Sequence, residues 1–117
     1  MAQVMKFWNY PTNGSGTYAY NHSNYGTLSA NFGSTTYDWS SMPNNLSSAN
    51  SAVAKIMSHA GISVNMDYSP TGSSAYVISA KSQYTNCAEY ALKTYFDYSS
   101  SLSGKEKNNY TDANWID

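Results

Sequence analysis

Residues 12–48 carry Gly14, Gly16, Gly26, Gly33 and Pro43 among many serines and asparagines, and no apolar repeat of helical period runs through them. That stretch excludes a simple helix bundle, because a long part of the chain must pack as turns and short extended pieces. Extended structure fits at Thr17, Tyr18, Ala19 and Tyr20 and again from Thr35 to Trp39. The reading is a long, locally packed loop region with at most a weak hairpin. Its aromatics, Tyr18, Tyr20, Tyr25, Tyr37 and Trp39, are expected to pack beneath the loop as a small core of their own rather than form a carbohydrate or peptide platform.

Helical patterns lie on either side. Met1, Val4, Met5 and Trp8 fall at i, i+3, i+4 and i+7, an apolar face that the step into Pro11 ends. A second helix is predicted from a cap at Ser47 or Ser48, with Val53, Ile56, Met57 and Ala60 as its stripe and Gly61 at its C′ position. Ile62, Val64 and Met66 then alternate with polar residues, the pattern of a short extended segment, and residues 68–74 carry turn chemistry. A third helix is predicted to start near Thr85 or Asn86, burying Ala88, Ala91, Leu92, Tyr95 and Phe96, with a Glu89–Lys93 pair at i, i+4. Residues 99–110 read as a polar linker, and Thr111 to Asp117 as the capped first turn of a fourth helix. Both ends thus read as cut helices, which is the expectation for a piece of something longer.

Composition narrows the function. Only 11% of the 117 residues are charged, the net charge is −1, and all six positive residues are lysine. A nucleic-acid interface needs a basic face, so that class is set aside. No apolar run approaches the length that spans a bilayer. Twelve tyrosines on a serine- and asparagine-rich background make a polar, weakly charged surface, the kind expected of secreted or cell-surface bacterial proteins. With 15% aromatic and 41% hydrophobic residues the chain has the material for a folded core.

Few residues carry chemistry. The single cysteine, Cys87, excludes an internal disulfide and a multi-cysteine zinc site. Paired with His22 or His59 it would be a thiol nucleophile and base, but one cysteine in a helix is read first as a small buried hydrophobe. His59 reads as a cap-like residue suited to a helix C-terminus, and His22 as an exposed loop residue. Asp38, Asp67 and Asp97 do not fall at ligand spacing from the histidines, so neither a metal nor another cofactor is expected.

Several runs together resemble one family. They are MAQVMKFWNYP at the start, TTYDWSSMP at 35–43, AVAKIMSHAGISVNMDYSPTGSSAY at 52–76, ALKTYFDY at 91–98 and the closing Asn114, Trp115, Ile116 and Asp117. They are similar to the C10 cysteine peptidases, the streptopain-like enzymes, over nearly the whole chain. The resemblance implies an α+β fold, the helical lobe of a papain-like cysteine peptidase, mainly α with long irregular loops. It also implies a partial peptidase domain over 1–117.

In that family a cysteine at a helix N-terminus attacks the peptide carbonyl, activated by a histidine from a sheet lobe. The family's Gly-Cys-Val-Ala-Thr-Ala run lies just before the position matched by Met1, and its Gly-His-Ala segment lies beyond the match to Asp117. No catalytic residue is therefore carried over, and Cys87, His22 and His59 match no catalytic position. Carried over is one wall of the substrate groove, near the pocket for an apolar side chain: Gly72, Ser73, Ser74 and Ala75, where small residues let a substrate backbone approach. The implied partners are a polypeptide substrate, the sheet lobe and a propeptide. The 117 residues alone are expected to be inactive, with an exposed lobe face prone to self-association. The alternative is a non-enzymatic peptide- or surface-binding module derived from a degenerate lobe.

Overall fold

A computed structural model describes residues 1–109, 111 and 113. Its main elements are helix α1 (Ala2–Trp8), strands β1 (Thr17–His22) and β2 (Gly26–Asn31), helix α2 (Ser51–Ser63) and helix α3 (Ala88–Thr94). Short 3-10 turns stand at Trp39–Ser41, Ser79–Lys81 and Lys107–Asn109. The architecture is mixed α+β, the class the resemblance implies, with three helices and a two-stranded sheet among the described residues. The predicted fourth helix lies almost entirely outside the described residues.

The hairpin is regular where at most a weak one was expected. Its antiparallel register pairs Tyr18 with Ala30, Tyr20 with Leu28 and His22 with Gly26. Strand side chains alternate between faces, so Tyr18, Tyr20 and His22 turn inward together with Leu28 and Ala30. Thr35 to Trp39 does not form a strand; Trp39 begins a 3-10 turn, and its indole N–H donates to the Pro11 carbonyl at 2.7 Å.

Each helix departs from its sequence reading in a definite way; α3 starts at Ala88, after Cys87, rather than near Thr85 or Asn86. On α1 only Met5 is fully buried, with Met1 beside it, whereas Val4 and Trp8 are 52% and 65% exposed. Helix α2 is capped by Asn50, whose side-chain oxygen accepts the Val53 N–H at 3.0 Å, not by Ser47 or Ser48. Asparagine and serine cap equally well, and this stretch offers several of both. The buried row of α2 runs through Ile56 and Ala60, with Val53 packed beside it, while Met57 stays exposed.

Gly61 does not end α2, and Ile62 is helical; the helix continues to Ser63. The left-handed residue is Asn65, with φ 55°. Around it the Met66 N–H returns to the Gly61 carbonyl at 3.0 Å and the Asn65 N–H to Ile62 at 3.2 Å, a Schellman closure. Helix α1 ends the same way, with Asn9 left-handed and Tyr10 N–H returning to Met5.

Phe32 sits at the centre of the core. Its ring stacks on Tyr95 at 4.6 Å and meets Phe96 edge-on at 5.4 Å. Buried Asn86 joins two elements, donating to the Ser63 carbonyl at 3.1 Å and the Tyr95 hydroxyl at 2.9 Å. The Glu89–Lys93 pair forms as expected, at 3.6 Å. Glu89 also accepts the backbone N–H groups of Ser79 and Gly104, and these bonds hold its carboxyl below the usual range.

Gly61 has a packing role instead of a capping one. A Cβ there would stand 1.9 Å from the Tyr68 hydroxyl and 3.0 Å from that ring's Cζ. Alanine normally gains about 1 kcal/mol over glycine inside a helix, but displacing a packed ring costs about 1–3 kcal/mol. Urea unfolding of Gly61→Ala is expected to show a net loss of about 1 kcal/mol. In a Tyr68→Phe background the same change is expected to become neutral or stabilising. An equal cost in both backgrounds would refute this role.

Candidate substrate groove

The inward row of β1 reaches one short segment after α2. The Tyr18 hydroxyl bonds the Asn65 side chain, the Tyr20 hydroxyl donates to the Met66 carbonyl at 2.7 Å, and His22 Nε2 lies 3.0 Å from Asp67 Oδ1. Alternate residues of a strand thus fasten three consecutive residues of the helix exit. Burial raises the hydroxyl pKa of Tyr18, and it pushes Tyr20 up to about 12 with help from the neighbouring Tyr68, Tyr18 and Asp67. Both phenols therefore remain donors near neutrality.

His22 is buried, 7% exposed, contrary to its reading as an exposed loop residue. Its Nδ1 faces the backbone N–H groups of Asn24 at 3.0 Å and Tyr25 at 3.3 Å. Two donors aimed at Nδ1 make it the acceptor, so the proton sits on Nε2 and points at Asp67. The ring closes the hairpin turn on one side and holds Asp67 on the other. The period-2 row Tyr18, Tyr20, His22 was the available signal for this role.

Asp67 in turn sets the groove wall. Its N–H donates to the Ser74 carbonyl at 2.9 Å and its carbonyl accepts the Ser74 N–H at 3.2 Å, one antiparallel rung. Successive residues of an extended segment direct their backbone polar groups to opposite sides. With Ser74 turned to Asp67, Ala75 faces away, and its N–H and carbonyl make no hydrogen bond among the described residues.

Between the hairpin tip, Asp67, Ser74 and Ala75, and Tyr76 with Tyr84, lies a groove of about 650 Å³. Of the four residues read from sequence as a wall, Ser74 and Ala75 line this groove. Ser73 lines a second, shallower depression beside Tyr25 and Tyr68. Gly72 closes the turn, donating its N–H to the Ser69 carbonyl at 3.3 Å.

The nucleophile candidates lie elsewhere. Cys87 is fully buried at the start of α3, its Sγ 3.5 Å from the Ser79 hydroxyl. His59 is not a charged helix cap, because α2 continues past it and its ring is half-buried. Phe32 meets it edge-on at 5.4 Å, and its Nδ1 lies 2.8 Å from the Tyr37 hydroxyl. Burial, then the charge of Lys55, lowers the His59 pKa; burial raises that of Tyr37, which is therefore the donor. Among the described residues, no three His, Cys, Asp or Glu side chains gather as a metal site, and no helix is long and apolar enough to cross a membrane.

The overall fold is similar to that of solved structures. The active wild-type interpain A cysteine protease of Prevotella intermedia superposes with a TM-score of 0.80 at 36% identity, covering 98% of this chain and 48% of that one. A prointerpain A fragment gives 0.79 at 35% identity, covering 98% of this chain and 37% of that one. The class is that of the cysteine proteases. The profile of the peptidase C10 family matches residues 1–117, and the chain belongs to that family. Among curated relatives, the thiol protease/hemagglutinin PrtT of Porphyromonas gingivalis is 32% identical over 91% of this chain, and streptopain of Streptococcus pyogenes 29% identical over 97%. The chain spans 13% of the length of PrtT and 30% of that of streptopain.

A folded pKa for His59 below its ordinary 6.5 fixes a sign. Its contribution is fully present above about pH 6.5 and is lost as pH falls through the folded value, because the unfolded chain takes up the proton first. The stability gap between the wild type and His59→Gln is expected to narrow as unfolding is measured from pH 7.5 down to 5. A gap that does not change with pH would contradict the assignment.

Proposed function

We propose that these residues form the helical-lobe side of a secreted C10 cysteine endopeptidase, supplying one wall of its peptide groove. The observation that carries the reading is the Ser74–Ala75 edge. Ser74 is locked to Asp67, leaving the Ala75 N–H and carbonyl open beside a free Ser74 hydroxyl. An extended substrate can pair with such an edge as an added strand. Membership of the C10 family and the similarity to interpain A support a peptidase as the parent activity. The exposed Val4, Phe7 and Trp8 of α1 suit a face covered by the other lobe or by a propeptide.

In the same reading the 117 residues perform no acyl transfer on their own. A nucleophile must be reached by substrate and by its base. Cys87 is sealed in the core, His22 is committed at both nitrogens, and His59 is turned to Tyr37. The nucleophile and base of the parent are then supplied by other sequence.

The test is reactivity. Folded chain is expected to hydrolyse casein no faster than buffer. Cys87 is expected to resist both iodoacetamide and a dipeptidyl epoxide until denaturant is added. Rapid epoxide labelling of folded Cys87, with hydrolysis abolished by Cys87→Ser, would overturn the proposal.

A further inference from the structure

We propose that the groove carries a subsite for a basic side chain of the bound polypeptide, with Asp67 as the residue that selects it. The inference rests on the peptide-groove reading above and adds what that groove prefers.

Among the groove's lining residues Asp67 is the one carboxylate, and none is lysine. The chain has no arginine. Two of its lysines pair with glutamates, Lys81 with Glu106 and Lys93 with Glu89. The Asp67 side chain is 76% exposed although the side chain of His22 beside it is 3% exposed. His22 gives Asp67 a hydrogen bond from Nε2 without a compensating charge, since Nδ1 is occupied as an acceptor by two backbone N–H groups. One oxygen of the carboxylate is thereby oriented, while the other has no partner among the described residues.

Aromatic surface completes the subsite. Tyr76 and Tyr84 meet edge-on with centroids 6.0 Å apart, and Tyr84 is 53% exposed. Ring faces attract an ammonium or guanidinium and cover its aliphatic stem. A fixed carboxylate beside such a wall, next to a backbone edge at Ala75 that can hold a peptide, favours lysine or arginine over an apolar chain of equal length. A glutamate would meet Asp67 as a like charge.

The experiment titrates the chain with Ac-Ala-Val-Xaa-Ala-Ala-amide, where Xaa is lysine, norleucine or glutamate. Binding is read from the amide shifts of Ser74 and Ala75. The lysine peptide is expected to bind about fivefold more tightly than the norleucine peptide, as an exposed ion pair with an aromatic wall permits. The glutamate peptide is expected to bind most weakly.

Asp67→Asn keeps an acceptor for His22 and should erase the lysine preference while leaving norleucine binding unchanged. Tyr84→Leu keeps an apolar wall without the ring face and should reduce the preference about twofold. Equal binding of lysine and norleucine peptides, with shifts at Ala75, would sink the subsite and leave the groove standing. No shift with any peptide would sink both.

Discussion

The seam between β1 and the exit of α2 supports the groove side of the molecule. Tyr18, Tyr20 and His22 stand about 7 Å apart along the strand, whereas consecutive residues advance by less than about 4 Å. Asn65, Met66 and Asp67 meet that longer spacing by mixing acceptors: a side-chain oxygen, a backbone carbonyl, then a carboxylate. Side chains of different reach absorb the mismatch, so a hairpin that would be marginal in isolation is fixed to the helix. Fixing Asp67 also fixes Ser74 by a backbone rung, and with it the direction in which Ala75 presents its polar groups.

Left-handed residues decide where each helix delivers the chain. Asn9, Asn65 and Asp97 hold φ between 49° and 59° just after α1, α2 and α3. Asparagine and aspartate adopt this conformation more readily than most residues and bring a side chain that glycine lacks. Each uses it: Asn9 accepts from Lys6, Asn65 receives Tyr18, and Asp97 accepts the Tyr10 hydroxyl at 3.0 Å. The helix exits are therefore also points of attachment, and the exits of α1 and α3 are tied by Tyr10 and Tyr98.

This chemistry explains what could be read in advance. The three helices stood out because their apolar spacing is a local property, and the family resemblance stood out because the 52–76 run is long and distinctive. Strand β2, Gly-Thr-Leu-Ser-Ala-Asn, shows only Leu28 and Ala30 inward, too few apolar residues to announce a strand. Gly61 imitated a helix stop because glycine is the usual C′ residue. The real stop is at Asn65, whose side chain is held by a tyrosine from a distant strand, a contact that no local pattern contains. His22 looked exposed for the same reason: Asn24 and Tyr25 are near in sequence, but Asp67 and the Tyr68 ring, which also pack against it, come from a distant segment. Ser74 and Ala75 were legible as groove residues only through the resemblance, and the rung that orients them was not.

The central claim is that His22 is a fixed, neutral pivot with its proton on Nε2, accepting the hairpin turn at Nδ1 and holding Asp67. A long-range proton–nitrogen correlation spectrum of the imidazole at neutral pH tests it most directly. The account predicts a protonated Nε2 and an unprotonated, hydrogen-bonded Nδ1 for His22, in slow exchange with solvent. A ring protonated at Nδ1, or one averaging rapidly between tautomers, would contradict it, because neither could hold the turn and the groove wall together.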